Sequence, residues 1–153
     1  MFSKVFVGSD HAGFNLKKII IEYIINNFDL EVVDKGTYSE SSCDYPDYAI
    51  DVCKEVQKFP SSVGILICGT GIGMSIVANK FENIRAALCC NSTTAKFARL
   101  HNNSNVLCLG GRIIGQETAK DIVKTFIETS FEGGRHQKRI EKIQEIEKKV
   151  KAC

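Results

Sequence analysis

Along the chain, short runs of β-branched and aliphatic residues alternate with longer stretches in which apolar positions recur every three or four residues. The runs at 5–9, 31–34, 63–68, 85–90 and 106–109 predict five strands, each ending close to Gly, Asp, Asn or a hydroxyl residue. Between them, residues 13–27 carry Leu16, Ile19, Ile20, Tyr23 and Ile24 at helical spacing, and 47–58, 72–80, 93–100 and 116–129 predict four more helices. Strands that alternate with helices in this way build βαβ units, so the expected class is α/β, with a five-stranded parallel sheet covered on both faces. Residues 36–46 are the one long polar connection. Beyond Phe131, residues 132–153 hold seven Lys and Arg against four Glu and predict a basic C-terminal helical tail led in by Gly133 and Gly134.

The length of 153 residues fits one domain spanning 1–153. Twenty Lys and Arg against eighteen Asp and Glu leave a net charge of only +2, which gives no field for nucleic acid or a membrane surface and favours a small, discrete ligand. No stretch approaches the roughly 20 apolar residues of a membrane span, and Lys4 to Gly8 run into the first strand without a charged leader. The seven cysteines are odd in number and contain no CxxC pair, so no zinc ribbon is expected. Cys68, Cys89, Cys90 and Cys108 fall in or at the end of strand-like runs, where a free thiol packs as a small hydrophobe. Together these features lead us to expect a soluble protein of the reducing cytoplasm.

Ligands of a parallel sheet bind beyond the carboxyl ends of its strands. There the first strand ends in Ser9-Asp10-His11, the third in Cys68-Gly69-Thr70-Gly71-Ile72-Gly73 and the fifth in Gly110-Gly111-Arg112, while the helix after the fourth ends in His101-Asn102. The glycine cluster fits neither GxGxxG nor GxxxxGK[ST], so no nucleotide cofactor is expected. It leaves backbone amides free to point at a phosphate or a reaction oxyanion, unless its glycines serve only a tight turn. Cys68 stands immediately before those amides, either as a nucleophile or base or as a buried strand-end thiol. The histidines are expected to converge with Cys68 and Arg112 on one rim, and Arg135 and Arg139 lie four residues apart on one helix face. A thiol base, an oxyanion site, a histidine acid and an arginine cluster point to proton transfer beside a carbonyl on a phosphorylated small molecule.

Eight motifs in order, Gly8 to Phe14, Asp44-Tyr45-Pro46, Ile67 to Gly73, Ala78-Asn79-Lys80, Ile84-Arg85-Ala86, His101-Asn102, Gly111-Arg112 and Glu132 to His136, make the chain resemble the type-B ribose-5-phosphate isomerase family, which also includes galactose-6-phosphate isomerase subunits. The resemblance implies a Rossmann-like three-layer α/β/α sandwich and an aldose–ketose isomerisation through an enediolate, without metal, nucleotide or other cofactor. It implies that Cys68 is the base, that His101 is the acid that opens the furanose ring, and that Asp10 lies near the ring oxygen. Gly69, Thr70, Gly71, Ile72 and Gly73 would hold the enediolate, with Thr70 assisting by a hydrogen bond. Asn102 would bind sugar hydroxyls, and His11, Arg112, Arg135 and Arg139 the phosphate. Some relatives use a glutamate base just after the glycine loop, where this chain has Met74. The family forms homodimers or homotetramers with shared active sites, so the tail could complete a partner's pocket. Ribose 5-phosphate is the expected substrate, with galactose 6-phosphate, allose 6-phosphate or a non-catalytic phosphate-binding module as alternatives.

Overall fold

The computed structural model describes residues 2–152; Cys153 lies outside the described residues. Five strands, β1 (Lys4–Ser9), β2 (Glu31–Asp34), β3 (Ser62–Cys68), β4 (Ala86–Leu88) and β5 (Val106–Gly110), form one parallel sheet in the order β2-β1-β3-β5-β4. Register runs evenly across the centre, with Val5 opposite Val63, Ile67 opposite Ser9, and Cys68 opposite Gly110.

The strands read as nearly continuous apolar runs because both faces are covered. Val5, Val7, Ile65, Ile67, Leu107 and Leu109 point to one face, where they pack with α1 (Phe14–Asn27), α4 (Ser92–Asn102) and α5 (Gln116–Glu128). The alternate residues Phe6, Leu66, Cys68, Val106 and Cys108 face α2 (Tyr45–Lys58) and α3 (Ile72–Ala78). Complete burial of each aliphatic side chain contributes about 1.5–3 kcal/mol, so a one-residue slip of a central strand would forfeit several such terms at once. A sixth helix, α6 (Arg135–Lys151), leaves the sandwich and lies against the end of α4, with only Ile140 and His136 of its first two turns buried.

Three of the boundaries that differ from expectation have a visible cause. β4 covers only Ala86–Leu88, because Asn91 caps α4 by accepting the Thr94 N–H at 2.9 Å and draws Cys90 out of the edge strand; Cys90 is exposed rather than buried. Pro46 sits inside the first turn of α2, where no N–H is required of it, so the long connection ends at Asp44. α4 runs on through Asn102 and closes on Asn103, a left-handed cap at φ 45°.

Candidate active site

The carboxyl edge of β1, β3 and β5 is stitched together by backbone. Gly111 donates to the Cys68 carbonyl at 2.8 Å, Arg112 to that of Gly69 at 3.0 Å, and Asp10 to that of Ile67 at 3.2 Å. Gly71 turns the chain from β3 into α3 at φ +78°, and a Cβ there would lie 2.6 Å from Leu88 Cδ1 and 2.9 Å from the Leu109 carbonyl carbon, so glycine is required on both counts. The turn aims the Gly71 N–H at Cys68 Sγ, 3.1 Å away, a charge-assisted contact when the sulfur is a thiolate. Cys68 is 5% exposed, and the Arg112 side chain lies against Gly69, the next residue.

Around that loop, Asp10 is buried and its Oδ1 takes the Gly13 N–H at 3.0 Å, which holds the carboxylate at the start of α1. Cys43 N donates to His11 Nδ1 at 3.2 Å, which ties the histidine to the polar connection. Thr70 is exposed, its Oγ1 accepting the Ile72 N–H at 3.2 Å. Tyr45, at the start of α2, lies over Gly73 so closely that a Cβ would stand 2.5 Å from its ring. Met74 is fully buried in the core, so no acidic side chain borders the loop at that position. Asp10, His11, Cys68, the 69–73 loop and Arg112 therefore form one contiguous constellation.

His101, Asn102, Arg135 and Arg139 do not join it. α4 follows β4 and runs antiparallel to the strands, so its last turn is delivered to their amino ends. There Arg85, immediately before β4, donates its Nε to the carbonyls of Asn102 at 3.1 Å and Asn103 at 3.0 Å. β3 has seven residues, and at about 3.3 Å each the two edges stand roughly 20 Å apart. The expected convergence of His101 with Cys68 on one rim does not occur within one chain; the connectivity forbids it.

The amino edge has an organisation of its own. Arg99, 7% exposed, donates to Thr129 O at 3.2 Å and to Asn103 Oδ1 at 3.0 Å, and also to the Ser104 carbonyl, clamping the end of α4 to the segment that leads into α6. Burial lowers its guanidinium to about 10, assisted by the positive charge of Arg85. The Glu132 N–H donates to the Leu100 carbonyl at 3.0 Å, which brings the start of α6 against His101. The His101 ring stacks on His136 at 4.2 Å and 12°, and Phe97 lies tilted against it at 4.8 Å. Arg135 and Arg139 project into solvent beside them.

Sequence reasoning passed over Tyr45, Glu132 and Phe97 as site residues, and it expected His136 on the rim with Cys68, whereas His136 lies against His101 at the amino edge. The signal was present in the i,i+4 spacing of Phe97 with His101 and of Glu132 with His136. His136 is buried there, only 4% exposed. Its donor atoms, with those of His101 and Glu132, lie within 4.8 Å of one another. The near-parallel rings, however, hold their nitrogen lone pairs side by side instead of converging on one ion.

Comparison with known proteins places this geometry. Residues 5–143 match the pattern of the family described as Ribose/Galactose Isomerase. Ribose-5-phosphate isomerase B of Escherichia coli is 47% identical over 95% of this chain and 97% of its own length. A solved structure of Clostridium thermocellum ribose-5-phosphate isomerase B superposes with a TM-score of 0.92 at 47% identity, covering 96% of this chain and 99% of that one. The Mycoplasma genitalium ribose-5-phosphate isomerase B, solved with bound ribulose-5-phosphate, gives 0.92 at 45% identity over 97% and 98%.

Proposed function

Since the chain belongs to the ribose/galactose isomerase family, we propose that it interconverts D-ribose 5-phosphate and D-ribulose 5-phosphate with Cys68 as the base. It is an aldose–ketose isomerase of the type-B ribose-5-phosphate group, acting on a sugar phosphate. The observation that carries the mechanism is the Gly71 N–H at 3.1 Å from Cys68 Sγ, inside a glycine loop flanked by Arg112.

The Cys68 thiolate takes the proton from C2 of the open aldose, and the electron pair moves through the C1–C2 bond onto the carbonyl oxygen to give the enediolate. The amides of the 69–73 loop face that oxygen; removing one such donor typically costs about 3–4 kcal/mol of transition-state stabilisation. Thr70 supports the loop through its hydroxyl. Return of the same proton to C1, with the hydroxyl proton passing from O2 to O1, gives the ketose. Ring opening precedes this and requires a proton on the ring oxygen, supplied by His101, with Asp10 at the sugar hydroxyls. Asn102 binds hydroxyls, and His11, Arg112, Arg135 and Arg139 bind phosphate.

Because Cys68 and His101 occupy opposite edges of one chain, a complete pocket needs two copies. A two-fold arrangement sets the amino edge of each against the carboxyl edge of the other and completes two pockets. Exposed apolar residues border both halves: Ile72 at 51% and Ile76 at 57% beside the thiol loop, Phe97 at 45% and Ile143 at 40% beside His101. Among the described residues six cysteines are unpaired, which suits a reducing cytoplasm, and no helix is long and apolar enough to cross a membrane.

Incubation with ribose 5-phosphate in heavy water tests the reaction: ribulose 5-phosphate should form with deuterium on carbon, and Cys68→Ala should abolish turnover while retaining substrate binding. Near-normal turnover by that variant removes Cys68 as the base. Co-refolding Cys68→Ala with His101→Asn, each inactive alone on ribose 5-phosphate, should restore about a quarter of wild-type activity, because half of the pairs are mixed and each mixed pair holds one intact pocket. Absence of recovery would discard the shared pocket.

A further inference from the structure

His136 has no part in the reaction as written, yet it is among the most costly residues in the structure to place. It is 4% exposed at the second position of a helix whose neighbouring residues are mostly solvated, and its Nε2 is buried without a hydrogen-bond partner among the described residues. A leucine or phenylalanine would fill that space without burying a polar atom. What the imidazole does in this position is lie flat on His101, centroid to centroid 4.2 Å and 12° from parallel. Phe97, one turn earlier on α4, contacts the same ring at 4.8 Å and 37°. His101 itself is only partly covered, at 35% side-chain exposure, so on its own it would sample several rotamers. Two ring contacts from two different helices fix the plane of its imidazole.

Stacking fixes a plane but leaves rotation within it. The carboxylate of Glu132 supplies the missing constraint: its Oε2 lies 3.7 Å from His101 Nε2 and 3.5 Å from His136 Nε2. Among the described residues, the charged and titratable groups that bear on His136 are Arg135 and Arg139 of α6, Glu132 just before that helix, and His101 of α4. Burial, together with the positive charge of its neighbours, favours the neutral form of His136, which therefore meets His101 as a flat, uncharged ring.

We infer that His136 is a positioning residue for ring opening: with Phe97 and Glu132 it holds the His101 imidazole in the one orientation that delivers a proton to the furanose oxygen of a substrate in the partner's thiol pocket. This rests on the assignment of His101 as the ring-opening acid, and the experiment separates the two. Ribose 5-phosphate reaches the enzyme as a furanose, whereas ribulose 5-phosphate, with its O5 esterified, is open-chain. Turnover of the first therefore needs ring opening, while exchange of the C1 proton of the second in heavy water needs only the base.

His136→Ala should lower kcat on ribose 5-phosphate about tenfold or more, with little change in KM and less than a twofold change in C1 exchange. His136→Phe, which retains a flat ring in the same volume, should recover at least half of the lost kcat. In a His101→Asn background, His136→Ala should add nothing. Should His136→Ala reduce kcat and C1 exchange alike, or should Phe fail to rescue while the protein stays folded by circular dichroism, the positioning role is overturned. If His101→Asn itself lowers exchange as much as turnover, it is the ring-opening assignment that fails.

Discussion

Gly71→Ala puts the coupling between fold and chemistry to its most direct test. The added methyl group meets two penalties that are independent of each other. At φ +78° an L-residue pays about 1–2 kcal/mol for the left-handed conformation. The new Cβ would also stand 2.6 Å from Leu88 Cδ1, 2.9 Å from the Leu109 carbonyl carbon and 3.0 Å from its oxygen. Leu88 is the end of a side chain on an edge strand and can give way; Leu109 is backbone of a fully buried strand and cannot, so overpacking adds about 1–3 kcal/mol. A total near 3 kcal/mol is a large share of the roughly 5–15 kcal/mol that holds a domain together. With a urea slope of about 1–3 kcal/mol per molar, the unfolding midpoint should fall by one molar or more. Relief of the clash moves the loop away from β5, and the amide 3.1 Å from Cys68 Sγ moves with it, so kcat should fall further than the loss of folded protein explains. Gly115→Ala is the matched control: its φ is −74° and nothing lies within 4 Å of its Cβ position, so neither penalty applies, and because the poorer N-cap of α5 offsets the stiffer unfolded chain, stability should stay within about 1 kcal/mol of wild type. A Gly71→Ala protein that unfolds within 0.5 M of wild type and turns over normally would refute the argument that this glycine shapes the thiol site.

Other consequences are narrower. Arg139→Ala should raise KM for ribose 5-phosphate about tenfold, corresponding to a charge-assisted contact of about 1.5 kcal/mol, with a smaller effect on kcat; an unchanged KM would return Arg139 to the solvated surface. Burial pushes the Cys53 thiol up to about 12 and Cys89 to about 11, and Cys108 higher than its ordinary value, so brief alkylation at pH 7.5 followed by peptide mapping should mark exposed Cys90 well before these three. The His136 imidazole is held below its ordinary value, chiefly by burial and then by the positive charge of His101 and Arg135. The unfolded chain therefore binds a proton near pH 6.5 before the folded one does, and stability is lost as pH falls below that value. Urea melts at pH 7.5 and 5.5 should show a steeper loss for wild type than for His136→Phe, and equal losses would contradict this.

The periodicity of the chain carried the sheet and its covering helices, because strands buried on both faces leave continuous apolar runs that only one alternation with helices can explain. Cys68, the glycine loop, Asp10, His11 and Arg112 were legible as one site because each directly follows a strand, and parallel strands bring their ends together. His101 was misplaced by the same logic. It was read as one more residue on the binding rim, although it ends the helix that runs back from β4 and so lies at the other edge. The short β4 and the exposed Cys90 escaped because a side-chain cap from Asn91 outweighed strand propensity at a sheet edge. His136 escaped because its burial depends on a contact between two helix ends, which no local pattern encodes.

The separation of sulfur and imidazole by the full length of a strand has a consequence for how such a protein can evolve. In the shared pocket proposed above, every copy would bring both halves, but each pocket would consult only one half from each copy. After a duplication, one copy could shed its thiol end and its sibling its imidazole end without abolishing turnover, provided the two stay together. The architecture thus leaves open a division of labour in which neither descendant works alone and each is selected through the other.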